Sequence, residues 1–257
     1  MNTKLQINPS QETDKIVSFL KETFAKQHIE NAVIGLSGGV DSATSFALLR
    51  KVIDPQHIYA MHLYYDEPVT EHIEALLSNS EIPEENIKIL SIREAVEAVV
   101  QTTHIEDDEK RKIRIGNIAA RMRMIMLFDY AKKHTALVVG TENKSENLLG
   151  YFTRFGDQAS DIEPIEHLYK TQIYQLAEHL NIPQIVLDAK PTAGLWAGQT
   201  DESEYGFTYE EADQVLSLIV DQKHSIDEAI KRGYANSEKI MSWRKKNMFK
   251  HEVPYTL

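Results

Sequence analysis

The chain has 257 residues, 42% hydrophobic and 26% charged, with a formal net charge of −11 and no cysteine. That is the composition of a soluble globular protein with ample chain for a real core, in one large or two small domains. The acidic balance argues against a broad nucleic-acid or anionic-membrane surface, and the missing cysteines remove disulfides, thiolate metal sites and cysteine nucleophiles together.

The N-terminal stretch MNTKLQINPSQETDK carries no apolar signal region, and no apolar run approaches membrane-spanning length. The expectation is a cytoplasmic protein with neither a nucleic-acid nor a membrane partner. Pro9-Ser10-Gln11-Glu12 opens a predicted helix to about Gln27, with Ile16, Phe19, Leu20 and Phe24 on one stripe. Asn31 to Leu36 reads as a short buried strand, and from Ser42 to Val52 the spacing is helical.

Between strand and helix lies Gly35-Leu36-Ser37-Gly38-Gly39-Val40-Asp41-Ser42. Two glycines let the backbone turn its N–H groups inward, Ser37 and Ser42 add hydroxyl donors, and the helix N-terminus adds partial positive charge. The segment reads either as a tight turn with Asp41 or Ser42 as N-cap, or as a nest for a phosphate. It matches neither Gly-x-x-x-x-Gly-Lys-Ser/Thr nor Gly-x-Gly-x-x-Gly. A carboxylate beside phosphates repels them unless a divalent cation lies between, which points to Mg²⁺.

Further along, His57–Tyr64 reads as a second strand and Val69–Leu77 as a helix. Asn86–Leu90 reads as a third strand, with Ser91 capping a helix to about Gln101. His104–Lys110 is an acidic, exposed connection. A long helix from about Ile113 to Lys133 carries Arg114 and Arg121 on one face, since positions seven apart drift only about 20°, while Arg123 points elsewhere. A fourth strand, Ala136–Val139, follows. Repeated strand–helix units predict an α/β fold, a doubly wound parallel sheet flanked by helices, with ligands at the carboxyl ends of its strands.

Gly140–Asp161 then reads as a polar loop of more than twenty residues, long for a connector. Lys170 opens a helix from about Tyr169 to Leu180, against the helix dipole, so an anion is expected nearby. Lys190–Glu202 is a third long loop, either a lid or a surface loop pinned by Trp196. Thr208-Tyr209-Glu210-Glu211 matches a capping box and starts the C-terminal helices, with Ala212, Val215, Leu216 and Ile219 to bury. The ten histidines show no zinc-site pairing and read as surface or packing residues. Trp243–His251 is the one basic cluster. No internal repeat or domain linker interrupts residues 1–257, which read as a single domain.

Ser-Gly-Gly-x-Asp-Ser after a strand resembles the loop of the ATP pyrophosphatases. With GNIAARMRM at Gly116–Met124, GTENKSENLLGYFTRFGD at Gly140–Asp157, KPTAGLWAGQTDESEYGFTY at Lys190–Tyr209 and the basic tail, nearly the whole chain resembles the ammonia-dependent NAD⁺ synthetases. The resemblance implies a Rossmann-like sheet of the adenine nucleotide alpha hydrolase type. It implies a ligase that amidates deamido-NAD⁺ with ammonia and ATP through an adenylate, releasing AMP and pyrophosphate, as the last step of NAD⁺ biosynthesis. It places Gly35, Leu36, Ser37, Gly38, Gly39, Val40, Asp41, Ser42, Thr141, Lys170 and Thr192 on ATP, with Asp41 and Lys170 as the catalytic pair. Asp41 and Glu146 become the Mg²⁺ ligands. Arg121, Arg154, Asp161, Phe249 and Lys250 face deamido-NAD⁺. A homodimer is implied as well.

Four departures stand out. Arg154 replaces a common lysine, Phe249 a usual histidine and Tyr64 a common proline. Thr141–Ser145 follows the version of glutamine-using relatives. Those relatives carry a glutaminase domain with a catalytic cysteine, which this length and composition do not accommodate, so free ammonia is the expected nitrogen source unless a separate subunit supplies it. The rivals are another amide-forming pyrophosphatase, such as a GMP-synthetase-like subunit, and a non-catalytic adenine-nucleotide-binding module.

Overall fold

A computed structural model describes residues 5–192, 200–252 and 254–256. Four parallel strands form one sheet: β1 (Asn31–Gly35), β2 (Ile58–Tyr64), β3 (Ile87–Ser91) and β4 (Ala136–Val139), in the order β3-β2-β1-β4. A parallel bridge between Val139 and Ile162 adds a rudimentary fifth rung beside β4. The chain therefore runs outward from β1 on one side, then returns to build β4 on the other. The crevice between β1 and β4 is the switch point, where the loops leaving both strands diverge.

Helices cover both faces, because alternate residues of β1 face opposite sides. Ala32 and Ile34 join a cluster with α1 (Pro9–Gln27) and α2 (Val40–Leu49). α3 (Thr70–Leu77) adds Ile73 and Leu76 to that cluster, while Val33 joins Met61, Leu63, Val96 and Ala119 on the other side, against α4 (Arg93–Thr102) and α5 (Arg111–His134). The chain continues through α6 (Lys144–Leu149), α7 (Lys170–His179), α8 (Gln184–Leu187) and α9 (Asp201–Tyr205). It ends with α10 (Tyr209–Leu216), α11 (Ile226–Lys231) and α12 (Ser237–Asn247). Leu149, Tyr169, Tyr205, Phe207, Tyr209 and Val215 form a third cluster beneath these last elements.

The expected strands and long helices all form, with ends shifted by one to three residues. Four local expectations need correction. On α1, Ile16, Leu20 and Phe24 are buried but Phe19 is 45% exposed, because it lies about 100° from Leu20, the centre of the buried stripe, on the helix wheel. Ser91 is not the N-cap of α4; Ile92 is, and Ser91 Oγ accepts from Arg93 N at 3.3 Å. Thr208 caps α10 through Glu211 N, but the Glu211 carboxylate turns away to Asn236 at 2.6 and 2.8 Å, so the box is not reciprocal. After α10 the backbone widens into a π-turn over Ser217–Asp221, which buries Leu218 and leaves Ile219 partly exposed. Residues 193–199, including Trp196 and most of the expected lid, lie outside the described residues.

Candidate functional site

The loop after β1 is braced from within. Ser37 and Ser42 hydroxyls lie 3.0 Å apart, Ser37 N donates to Ser42 Oγ at 3.2 Å, and Gly39 N donates to Ser37 Oγ at 3.2 Å. Gly38 takes φ +87°, a conformation that favours glycine. The helix starts at Val40 rather than Ser42, with Gly39 as N-cap. Asp41 therefore sits in the first turn of α2 and not in the loop. That position suits a carboxylate electrostatically.

Two histidines buttress the loop from β2 and α3. Val69 N–H donates to His62 Nε2 at 3.1 Å, which leaves Nδ1 as the protonated nitrogen that donates to Leu36 O at 2.7 Å. Burial lowers the pKa of His62 and keeps this neutral tautomer. His72 Nδ1 lies 3.0 Å from Gly38 O. In the sequence the histidines read as surface or packing residues, and the spacing of His62 and His72 carries no signal for this brace.

Across the crevice, Lys170 opens α7 with its Nζ bonded to Asp41 Oδ2 at 2.5 Å and to Glu146 Oε1 at 3.3 Å. The anion expected near Lys170 is thus a pair of carboxylates. Burial alone pulls the lysine pKa down, but Asp41 and Glu146 more than reverse that and hold it charged. Burial raises the Glu146 pKa, and Lys170 draws it partly back.

The polar stretch after β4 is not all loop. Asn143 Oδ1 accepts Glu146 N at 3.0 Å and so caps α6, while its Nδ2 donates to Asp41 Oδ1 at 2.8 Å. The signal was present: Asn followed three residues later by Glu is a helix-start signature. Asp213 is fully buried, accepting from Ser145 Oγ at 2.5 Å and Thr171 N at 2.9 Å, while Ser145 Oγ accepts from Lys170 N at 2.8 Å. This chain fixes the start of α7 and with it Lys170. In sequence Asp213 is one acid in a helical run, with nothing to mark it.

Other expected site residues fall into two places. Thr141 and Glu146 flank the crevice on the β4 side. Thr192, an exposed residue, follows Pro191, whose carbonyl accepts from Asp201 N at 3.1 Å. A second group gathers farther out. Arg121 donates to Arg154 O at 3.2 Å, and the Arg154 guanidinium lies 5.8 Å from the Phe249 ring centre. Lys250 Nζ donates to Gly150 O at 2.7 Å and Phe152 O at 2.8 Å, tying down the basic tail. Arg123 turns from Arg121 and donates to Leu63 O at 2.8 Å. Asp161 Oδ2 accepts Val138 N on the outer edge of β4 at 2.8 Å.

A glycine loop feeding a helix at the switch point of a parallel sheet, facing a lysine between carboxylates, defines an α/β nucleotide-binding protein. The comparisons narrow the class. A family model for NAD synthase matches residues 12–254, and the chain belongs to the NAD synthase family. It is 37% identical over 253 residues to the NH(3)-dependent NAD(+) synthetase of Fusobacterium nucleatum, covering 98% of this chain and 96% of that one. It is 39% identical to the Pyrococcus furiosus enzyme of the same name over 87% of this chain and 83% of that one. Among solved structures, NMN synthetase from Francisella tularensis superposes with a TM-score of 0.82 at 33% identity, covering 98% and 99% of the two chains. The NH3-dependent NAD synthetase of Campylobacter jejuni gives 0.79 at 28%, covering 98% and 100%.

Proposed function

We propose that this chain makes NAD⁺ by ATP-dependent amidation of deamido-NAD⁺ with ammonia, releasing AMP and pyrophosphate. The observation that carries this reading is the meeting of Asp41, Glu146 and Lys170 at the mouth of the glycine loop. The pyridine carboxylate of deamido-NAD⁺ is a poor electrophile. Its oxygen attacks the α-phosphorus of ATP, pyrophosphate leaves, and the acyl carbon now bears a good leaving group. Ammonia attacks that carbon, AMP departs, and a proton is lost from nitrogen. No enzyme nucleophile takes part, in keeping with a chain without cysteine. The protein's contribution is to hold polyanions together and offset developing charge.

In this reading the backbone from Gly35 to Ser42 and the N-terminus of α2 cradle the phosphates, with Thr141 and Thr192 completing the ATP site. Asp41 and Glu146 fit Mg²⁺: their hard oxygens converge on one cationic nitrogen. Among the described residues no three metal-ligating side chains gather, which suits an ion that takes one or two carboxylates and substrate phosphates. When bound, the ion neutralises phosphate charge. Lys170, positioned by Ser145 and Asp213, offers its ammonium to the departing pyrophosphate. Arg121, Arg154, Asp161, Phe249 and Lys250 face the dinucleotide. The half-exposed Ile113 and Ile125 on α5, with Ile89 and Leu90 on β3, support a homodimer.

A second reading keeps the chemistry but changes the acceptor to the mononucleotide acid, whose amidation gives NMN. The likeness to the Francisella protein favours it. The deciding assay measures pyrophosphate and amide product with ATP, Mg²⁺, ammonium chloride and one acceptor at a time. NAD⁺ equimolar with AMP is expected from deamido-NAD⁺. A higher kcat/KM for the mononucleotide moves the assignment to the second reading, and turnover with XMP alone discards both.

A further inference from the structure

Just past β4 the chain buries more carboxylate than it neutralises. Glu142 is only 6% exposed, and its Oε1 has no hydrogen-bond partner. Its backbone N–H donates to Glu163 Oε2 at 3.0 Å, and Ser160 Oγ donates to Glu163 Oε1 at 2.7 Å. The Glu163 carboxylate rests on the bare α-carbon of Gly140, where a Cβ would stand 1.8 Å from Oε1. Only glycine admits this approach. The charges that act most on Glu142 are Glu146, Glu163, Asp157 and Glu166, all acidic, and the cation that feels Glu142 is the half-buried Lys250. Lys250, the cation nearest in kind, is committed to two carbonyls.

A carboxylate in such surroundings either gives up its charge or takes a cation. Burial first, then Glu146 and Glu163, pushes Glu142 up to about 9, and burial lifts Glu163 to about 7. In both groups burial is the largest cause, and for Glu163 the Ser160 and Glu142 hydrogen bonds draw part of the shift back. A small cation with its own N–H donors needs only a few directed acceptors, and Glu142 Oε1 is an unused one.

We propose that Glu142 and Glu163 form a receiving site for ammonium at the β4 side of the crevice. This rests on the reading that ammonia is the nitrogen source, which in neutral water is mostly present as ammonium. Acidic residues there concentrate the ion beside the reaction crevice, and Gly140 exists to let Glu163 fold in.

The test varies ammonium chloride at constant ionic strength, using tetramethylammonium chloride as the balance, for wild type and the isosteric E142Q. The KM for ammonium should rise roughly 10- to 100-fold, the scale of one hydrogen bond to a charged group. The KM values for ATP and acceptor should stay put. An unchanged ammonium KM overturns the site while leaving the reaction intact; absence of any amide product from wild type overturns the proposed function instead. Thermal unfolding without substrates gives an independent readout for E142Q and E163Q. Ammonium chloride should raise the wild-type Tm above its value in tetramethylammonium chloride, and the variants should lose that rise. An equal rise in the variants, or an equal rise with potassium chloride, overturns the ammonium assignment.

Discussion

Asp41 shows how much one side chain is asked to do. It sits in the first turn of α2, accepts from Asn143 through one oxygen and from Lys170 through the other. Its negative charge beside the proposed phosphate loop calls for compensating cations, and Lys170 is one of them. Asp41→Asn keeps the shape and removes the charge. Turnover should fall by roughly two orders of magnitude or more, the scale of losing one preorganised electrostatic contact. Steady-state kcat at saturating ATP checks this, and near-normal turnover takes Asp41 out of the metal role. The sequence alone marked Asp41, Glu146 and Lys170 as candidates, through a motif and through a cation at the wrong end of a helix. It gave no hint of Asp213 or His62, because a buried acid or histidine in an amphipathic run looks like any other polar residue.

Short α6 links the two sides of the crevice. Asn143 caps it and simultaneously grips Asp41, so helix stability and site geometry share one amide. Asn143→Ala removes the cap at a cost of about 1 kcal/mol. The accompanying loss of the Asp41 contact should lower kcat with little change in the KM for ATP. Thermal melts and kinetics on the same preparation separate these effects; an unaltered kcat with a lowered Tm would confine Asn143 to capping. A loop was expected here because six residues are too few for a helical period to show. The Asn-x-x-Glu start signature was readable, but the surrounding glycines and polar residues outweighed it.

Over the whole molecule, buried acids set how stability responds to pH. Burial raises Glu142 to about 9, Glu163 to about 7 and Asp213 to about 6, all above their ordinary values. A carboxyl that the fold holds protonated contributes stability that is complete below its ordinary pKa and is lost as pH rises through the folded pKa. In ammonium-free buffer the Tm should therefore decline from about pH 5 to about pH 9. E142Q, which cannot ionise, should flatten the upper part of that decline. A Tm that climbs across the same interval contradicts the buried, uncompensated state of these groups.

Periodicity and local chemistry were enough to determine the four strands, their order of appearance and the main helices. They also determined the glycine loop and the expectation of a parallel sheet, because each rests on residues within a turn or two of one another. Tertiary structure alone decided which side chains meet. Asn143 lies 102 residues and Lys170 129 residues from Asp41. Crossovers through the sheet bring them together, and no local spacing encodes that. The same holds for Glu142 and Glu163, whose partnership depends on the fifth rung pairing beside β4. A carboxylate's burial is a property of everything packed around it, so its chemistry becomes legible only when the chain is folded.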